Sequence, residues 1–265
     1  MNNGHAPQAG DIAVPEIRRV RHELRRRTLR VLRSERLTPN MQRLTLGGPE
    51  LHDFASESPD DHIKLFFPQP GGGEEMRDYT PRRFDRDKGE LVVDFVVHEG
   101  GPATEWAKRA KPGDALAVGG PRGSRVIAGP IRRWLFVGDE SALPAIGRFV
   151  EELPAGGRAT LAVSVPGADD AQILASRAEV SAHWIARDGG DAGDPAPLLR
   201  ALAALEIPGD CFVWAAAEAG VARAIRRHLI DDRDHSPKWM KIAGYWIKGE
   251  ANASIKDLDE APAAH

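Results

Sequence analysis

Cysteine is nearly missing from this 265-residue chain. Its single thiol, Cys211, excludes an internal disulfide framework and a cysteine-rich metal centre, and its place in the apolar run CFVWAAA predicts a buried structural residue. No stretch reaches the roughly 18–20 continuous apolar residues that span a bilayer. The opening, MNNGHAPQAGDIAVPEI, lacks an apolar signal core. Residues 1–17 therefore read as a disordered lead-in, and a cytoplasmic protein with no membrane partner is expected. A large excess of one charge is missing too. The formal net charge of -3 gives no global attraction for polyanions. No His, Cys, Asp or Glu cluster has ligand spacing, so no metal site is expected. The glycine fingerprint GxGxxG is absent, which removes the generic dinucleotide argument. Tyrosine is scarce, with only Tyr79 and Tyr245.

Basic charge is concentrated in one place. Residues 18–33, RRVRHELRRRTLRVLR, read as a solvated helix followed by a strand with outward arginines. No aromatic platform accompanies them, so nucleic acid is not an expected partner.

The chain has two rhythms. From Thr28 to about Val126 it reads as short alternating strands bounded by Gly and Pro: RTLRVLRSERL, MQRLTLGG, HIKLFFP, ELVVDFVVHEGG and DALAVGGPRGS. One helix, GPATEWAKRAKPGD, interrupts them. From about Pro130, strands alternate with helices, beginning with RRWLFVGDESALPAIGRFVEEL, where Ala142, Ile146, Phe149 and Val150 form an apolar stripe. That alternation implies a parallel sheet. The fold class is thus β followed by α/β. Residues 18–128 are expected to form an antiparallel barrel or sandwich, taken as a six-stranded β-barrel, and residues 129–265 a parallel-sheet domain, taken as nucleotide-binding, ending in a frayed tail. GSRVIAGPIRR is the expected linker, and a crevice between the halves is the expected ligand site.

Three stretches carry chemistry. RDYT, residues 77–80, sets an arginine two places before a Tyr-Thr pair. Tyr79 offers a flat face to a planar ring, Thr80 a hydroxyl, and Arg77 a forked guanidinium for phosphate oxygens. HEGGPATEWA, residues 98–107, runs a Gly-Gly-Pro turn into a helix whose first N–H groups and dipole suit an anion. WLFVGDESALPAI, residues 134–146, is a βα turn with acidic residues at the helix start.

With these stretches in order, the sequence resembles the siderophore-interacting protein family, flavin-dependent ferric-siderophore reductases of the ferredoxin-reductase-like superfamily. LTPNMQRLTLGG, HIKLFFP, RDYTPRRFD, LVVDFVVHEGGPATEWA, KPGDALAVGGPRGS, GDESALPAI, VWAAAEAG and AGYWIKG are all similar to its landmarks, from about Arg30 to Gly249. The resemblance implies FAD as cofactor and NADPH or NADH as electron donor, with reduced ferredoxin as a substitute donor. It implies a ferric siderophore as substrate. Carried over by position, Arg77, Tyr79, Thr80 and Arg82 fall on the flavin motif. Val97, His98, Gly101, Pro102, Ala103, Thr104 and Trp106 fall on the second flavin segment. Asp139, Glu140, Ser141 and Ala142 fall on the βα turn, Ala216 and Glu218 near the nicotinamide ribose, and Tyr245 and Trp246 on the terminal motif. Two positions depart from the family pattern: Ser141 where Thr is common, and Ala217 where Gly is common.

The implied chemistry is hydride transfer to flavin and single-electron transfer to Fe(III), with no side chain acting as a catalytic group. Ferric siderophores are often anionic, so a basic rim of Lys64, Arg83, Lys241 and Lys248 is the expected substrate contact. Arg187 or Arg223 could meet a 2′-phosphate. Two alternatives stay open: a general NAD(P)H:flavin or quinone oxidoreductase, and a non-catalytic flavoprotein that binds ferric siderophore. A monomer is the default.

Overall fold

The computed structural model describes residues 13–69, 71–98, 100–255 and 258. It opens with β1 (Glu16–Arg21), β2 (Arg26–Thr38) and β3 (Met41–Gly47). There follow β4 (Ile63–Pro68), β5 (Glu74–Tyr79), β6 (Arg83–Asp85), β7 (Glu90–Val96), α1 (Pro102–Arg109), β8 (Ala115–Gly119) and β9 (Gly123–Ala128). The second half holds β10 (Arg133–Gly138), α2 (Leu143–Glu152), β11 (Arg158–Val165), β12 (Glu179–Ala186), α3 (Ala196–Ala203), β13 (Cys211–Glu218), α4 (Ala219–Arg227) and β14 (Met240–Trp246). Among the described residues no helix is long and apolar enough to cross a membrane.

The first half is an antiparallel sheet in the order β5-β4-β8-β2-β3-β7-β6. Alternation selects its core. Leu29 and Val31 of β2, Leu44 and Leu46 of β3, Leu65 and Phe67 of β4, and Phe95 of β7 point one way and are buried together. The sheet has seven strands, one more than expected, because Arg83–Asp85 pairs in its own right with β7.

The second half is a parallel sheet in the order β12-β11-β10-β13-β14. The chain winds outward from β10 through β11 to β12, then returns to the other side of β10 with β13 and β14. The switch point therefore lies between β10 and β13, where open α/β sheets take their ligands at the carboxyl ends of the strands. β10 is apolar on both faces. Trp134 and Phe136 pack against α2 through Phe149, while Leu135 and Val137 face α3 and α4 through Leu198, Leu202, Val221 and Ile225. A continuous apolar run is what a strand covered on both sides requires.

Three sequence expectations need correction. Residues 16–21 form β1 rather than a helix. Six residues carrying only Ile17 and Val20 half-buried have no helical stripe to bury, and their backbone pairs with β9 from Glu16↔Ala128 to Arg21↔Gly123. The lead-in therefore gives way to a strand before residue 17, and residues 1–12 lie outside the described residues. The expected linker is β9 itself for Gly123–Ala128. Part of the expected frayed tail is tied down: Ile255 exchanges backbone hydrogen bonds with Gly244 at 2.7 and 2.8 Å, and Leu258 N donates to Ile242 O at 3.1 Å. Cys211 is buried, as its apolar run predicts.

The two sheets meet through Met41, Leu37 and Val96, which pack with the core of the second half, and through polar contacts. Arg148 of α2 reaches the first half, donating to Ser56 O (2.9 Å), Ser56 Oγ (2.7 Å), Ser58 O (3.2 Å) and Pro81 O (3.3 Å). Arg82 grips Glu151 from the other direction, with Nη1 2.8 Å from Oε2. Gly147 admits it, since a Cβ there would lie 2.8 Å from Arg82 Nη2. Asp170 accepts from Thr38 Oγ1 at 2.8 Å, Asn40 N at 2.9 Å and Asn40 Nδ2 at 2.8 Å.

Removing Arg148 would strand buried carbonyl groups. Arg148→Met is expected to lower unfolding free energy by about 2–3 kcal/mol, read from urea melts. Burial pushes the Asp170 carboxyl up, but its hydrogen bonds outweigh that and hold it below the ordinary value. A depressed carboxyl stabilises above its unfolded value and loses that contribution as pH falls through the folded one. Asp170→Ala should therefore be less stable than wild type at pH 7, and the difference should close below about pH 4. A difference that does not shrink as pH falls below about 4 would contradict this.

Candidate active site

A cavity of about 830 Å³ opens between the two halves. This lies within the range of roughly 300–1,000 Å³ usual for small-molecule sites. Its wall on the first half is built from β5, the turn before β4 and the start of α1. On the second half it uses the β10–α2 turn, β13, β14 and the segment after β14.

Of the sequence-predicted residues, Arg77, Tyr79, Thr80, His98, Gly101, Pro102, Ala103, Thr104, Glu140, Ser141, Lys241, Tyr245 and Trp246 line it. Tyr79 ends β5 with its ring 4.4 Å from that of Phe95. Burial pushes its phenol well above the ordinary value, so the ring stays neutral. Arg77 folds back on Glu75, an ion pair, and donates to Met76 O at 2.8 Å. The helix α1 begins after Gly100 and Gly101 with φ of 75° and 93°, a left-handed turn that glycine enters without strain. Pro102 occupies the first helical turn, and the N–H groups of that turn have no partner inside the helix. Thr104 Oγ1 lies 3.3 Å from His98 Nε2.

Asp139 organises the opposite wall. It is 2% exposed, and four donors converge on its carboxylate. Oδ1 accepts from Ser141 N at 2.9 Å and from Ser141 Oγ. Oδ2 accepts from Glu218 N at 3.1 Å and from Trp246 Nε1 at 2.9 Å. Burial, then the neighbouring charge of Glu140, raises its carboxyl above the ordinary range. Gly138, one residue earlier, has no room for a side chain: a Cβ would lie 2.5 Å from Ala216 O.

Several predicted residues lie elsewhere. Arg82 serves the seam with α2. Val97 is buried with its N–H on Asn40 O at 2.9 Å. Trp106 packs its ring 5.7 Å from Phe67 in the first core. Asp139 and Ala142 lie behind the turn, fully buried, and Ala216 is buried within β13. Glu218 caps α4, accepting from Gly220 N at 2.5 Å and Val221 N at 3.1 Å. Ala217 turns its methyl into the α4-side core with Val221 and Ala222, so the departure from Gly does not crowd the cavity.

The expected basic rim does not form as a set of available cations. Lys64 is paired with Asp78 at 2.7 Å and Lys248 with Asp191 at 2.6 Å. Arg83 is exposed on β6. Lys241 lines the cavity but is buried, 2.6 Å from Asp60 Oδ2 and 3.3 Å from Arg125 O. Asp60 also accepts from Trp214 Nε1 at 2.9 Å and Ser58 Oγ at 2.6 Å. Burial pushes Asp60 up, but Lys241 and the hydrogen bonds prevail and hold it low. Arg187 is engaged with Glu140 through two contacts of 2.7 Å, and Arg223 is exposed on α4. Sequence reasoning missed Asp60, Asp61, Arg125 and Trp214 on the cavity wall. The stretch SPDDH held a signal, two adjacent carboxylates before an apolar strand.

This geometry meets a matching likeness across the chain. The family profile described as siderophore-interacting protein matches residues 131–249, and that of the siderophore-interacting FAD-binding domain matches residues 30–75 and 73–125. The chain belongs to the siderophore-interacting protein family. An NADPH-dependent ferric-chelate reductase of Escherichia coli is 37% identical over 250 residues, covering 86% of this chain and 95% of that protein. The ferric vibriobactin reductase of Vibrio cholerae is 28% identical over 246 residues, covering 84% and 90%. The crystal structure of a siderophore utilization protein from T. fusca superposes with a TM-score of 0.81 at 36% identity, over 90% of this chain and 98% of that one. A ferredoxin reductase of carbazole 1,9a-dioxygenase, at 18% identity and a TM-score of 0.63, shares the fold. The β plus parallel α/β architecture read from the sequence is thus the architecture of the family.

Asparagine at position 139 would keep the shape but bring an NH2 group against two of the four donors. Asp139→Asn is expected to cost about 2–4 kcal/mol, the scale of buried donors left unpaired, and to shift the fluorescence of Trp246. A variant with wild-type melting and emission would remove Asp139 from this role.

Proposed function

We propose that the chain is a flavin-dependent ferric-siderophore reductase that draws electrons from NADPH. The single observation that carries the reading is the cavity. It brings Tyr79, Arg77 and the α1 N-terminus from one half against Ser141, Tyr245 and Trp246 from the other, in a chain of a family with an FAD-binding domain.

The donor set suits FAD. Tyr79, backed by Phe95, supplies an aromatic wall for a planar ring, and the Thr80 hydroxyl lies beside it. Arg77 and the first N–H groups of α1 suit the diphosphate. Held there, FAD would supply hydride acceptance from a nicotinamide and single-electron donation to Fe(III). Ser141 and Glu140 stand at the switch point, where the nicotinamide nucleotide belongs. Tyr245 and Trp246 close the floor and exclude water; the Trp246 indole is fixed by Asp139. Iron needs no protein ligand in this scheme, since Fe(II) leaves a chelator whose hard oxygens prefer Fe(III). One chain supplies both walls of the cavity, so the reading has it act as a monomer, in the cytoplasm where nicotinamide is kept reduced.

Supplied with FAD, the purified protein should hold it and turn yellow. NADPH under argon should bleach it, and a ferric siderophore should restore the colour faster than a quinone does. Arg77→Ala should weaken FAD binding by about 1.5–3 kcal/mol, the worth of hydrogen bonds to a charged group, measured by fluorescence titration. Protein that stays colourless in excess FAD would end the proposal.

A further inference from the structure

A second, smaller cavity of about 260 Å³ lies beyond the first, lined in part by His22, Arg27 and Asp53. A continuous hydrogen-bond chain joins the two. His22 Nε2, on the wall of the second cavity, lies 2.8 Å from Ser124 Oγ. Ser124 is 2% exposed and donates its hydroxyl to Asp61 Oδ2 at 2.6 Å. Asp61 lines the large cavity. The chain spans β9 and the turn before β4, and the pairing of β1 with β9 places His22 at its outer end. The backbone donor Glu57 N, 3.0 Å from Ser124 Oγ, pins the hydroxyl oxygen in place. Ser56 Oγ and Ser58 N, at 2.8 and 3.2 Å, do the same for Asp61 Oδ2.

The proposed reaction leaves a proton behind. NADPH gives up two electrons and one proton, two Fe(III) ions take one electron each, and the balance is NADPH + 2 Fe(III) → NADP⁺ + 2 Fe(II) + H⁺. That proton would arise in the large cavity, on whose wall Asp61 lies. We propose that Asp61, Ser124 and His22 form a proton relay from the large cavity to the second one. The inference rests on the reductase reading.

In one passage the Asp61 carboxylate takes the proton, forming an O–H bond. The Ser124 hydroxyl turns from Asp61 to His22, and the new Asp61 O–H bond breaks as the proton moves to Ser124 Oγ, whose own hydrogen passes to Nε2 of a neutral His22 that carries its hydrogen on Nδ1. The imidazolium then releases its Nδ1 hydrogen to the water of the second cavity; this leaves the Ser124 hydroxyl on Asp61 and Nε2–H on Ser124 Oγ, and exchange with that water moves the ring hydrogen to Nδ1 before the next passage. No electron moves along it. Histidine suits the outer position because one ring nitrogen can accept a proton while the other gives one up. Burial, helped by the adjacent Asp60 and opposed by the serine hydrogen bonds, raises the Asp61 carboxyl, which favours a group able to hold a proton. The other charges nearby are Lys241, committed to Asp60, Arg125 on the cavity wall, and Arg148, which reaches Ser56. Around His22 they are Arg21, Glu23, Arg25, Arg27 and Asp53.

The test mixes NADPH-reduced holoprotein with ferric citrate under argon, following flavin absorbance and a pH-indicator dye together. Wild type should release its proton in step with reoxidation. Asp61→Asn and Ser124→Ala should slow release by roughly a hundredfold, the lower end of positioned proton transfer, with an enlarged solvent deuterium effect. His22→Gln, at a half-buried position, should slow it likewise and recover with added imidazole. This variant keeps the relay testable if the buried substitutions unfold the chain. Unchanged release and isotope effect in all three would overturn the relay. Histidine ¹⁵N NMR of the flavin-free protein gives a second readout. Ser124 has one hydroxyl hydrogen, which turns from Asp61 to His22 when Asp61 is protonated. Nε2 of His22 should register that step in wild type and lose it in Asp61→Asn; a resonance indifferent to the substitution overturns the relay. Failure to bind flavin would defeat the reductase reading and leave the NMR result to stand by itself.

Discussion

Asp139 is where the second half of the molecule is fastened to itself. Its carboxylate gathers donors from the β10–α2 turn, from the last residue of β13 and from the indole that ends β14. Three strand ends are thereby held at one point, at the carboxyl edge of the sheet and on either side of the switch between β10 and β13. A carboxylate can do this because it accepts at both oxygens and donates at neither. The turn that Asp139 holds presents Glu140 and Ser141 to the cavity, and the indole it holds forms part of the floor. Without that shared acceptor, three chain segments would each carry an unpaired N–H, that of Glu218 in the buried interior.

The same logic governs the meeting of the two halves. Arg148, Arg82, Asp170 and the Asp60–Lys241–Trp214 cluster join surfaces through directed hydrogen bonds, where an apolar contact would allow sliding. Directed contacts suit a site whose two walls come from different sheets, since each wall is useful only in register with the other. The cost is a set of buried charges that must each be met: Arg82 and Lys241 meet carboxylates, Arg148 meets Glu152 and carbonyl oxygens, and Asp170 meets neutral donors.

Most of the architecture was legible in sequence because it rests on local periodicity. Strands of period two ended in Gly and Pro; β10 announced itself by an apolar run and α2 by its stripe. The site was legible where one short stretch carries the whole device, as in RDYT, GGPAT and GDES. What failed depended on distant partners. Residues 16–21 became a strand only through β9, more than a hundred residues later. Arg82 sits inside the flavin-like phrase yet belongs to the seam, because Glu151 and Gly147 lie opposite it. Lys241 looked like a surface cation in KWMKIAGYW, but Asp60, from the other sheet, holds it in the interior. Lys64 and Lys248 lost their expected availability to Asp78 and Asp191, neighbours that spacing does not reveal.

Arg77 offers a last consequence. Its guanidinium is already in partnership with Glu75, so under the proposed function an incoming phosphate would meet an incumbent and have to evict it. The affinity gained is a difference between two attractions of the same kind. The empty protein is spared a bare cation, and the tenant is held on terms that permit exchange, so the loading of this chain should follow how much dinucleotide its surroundings supply.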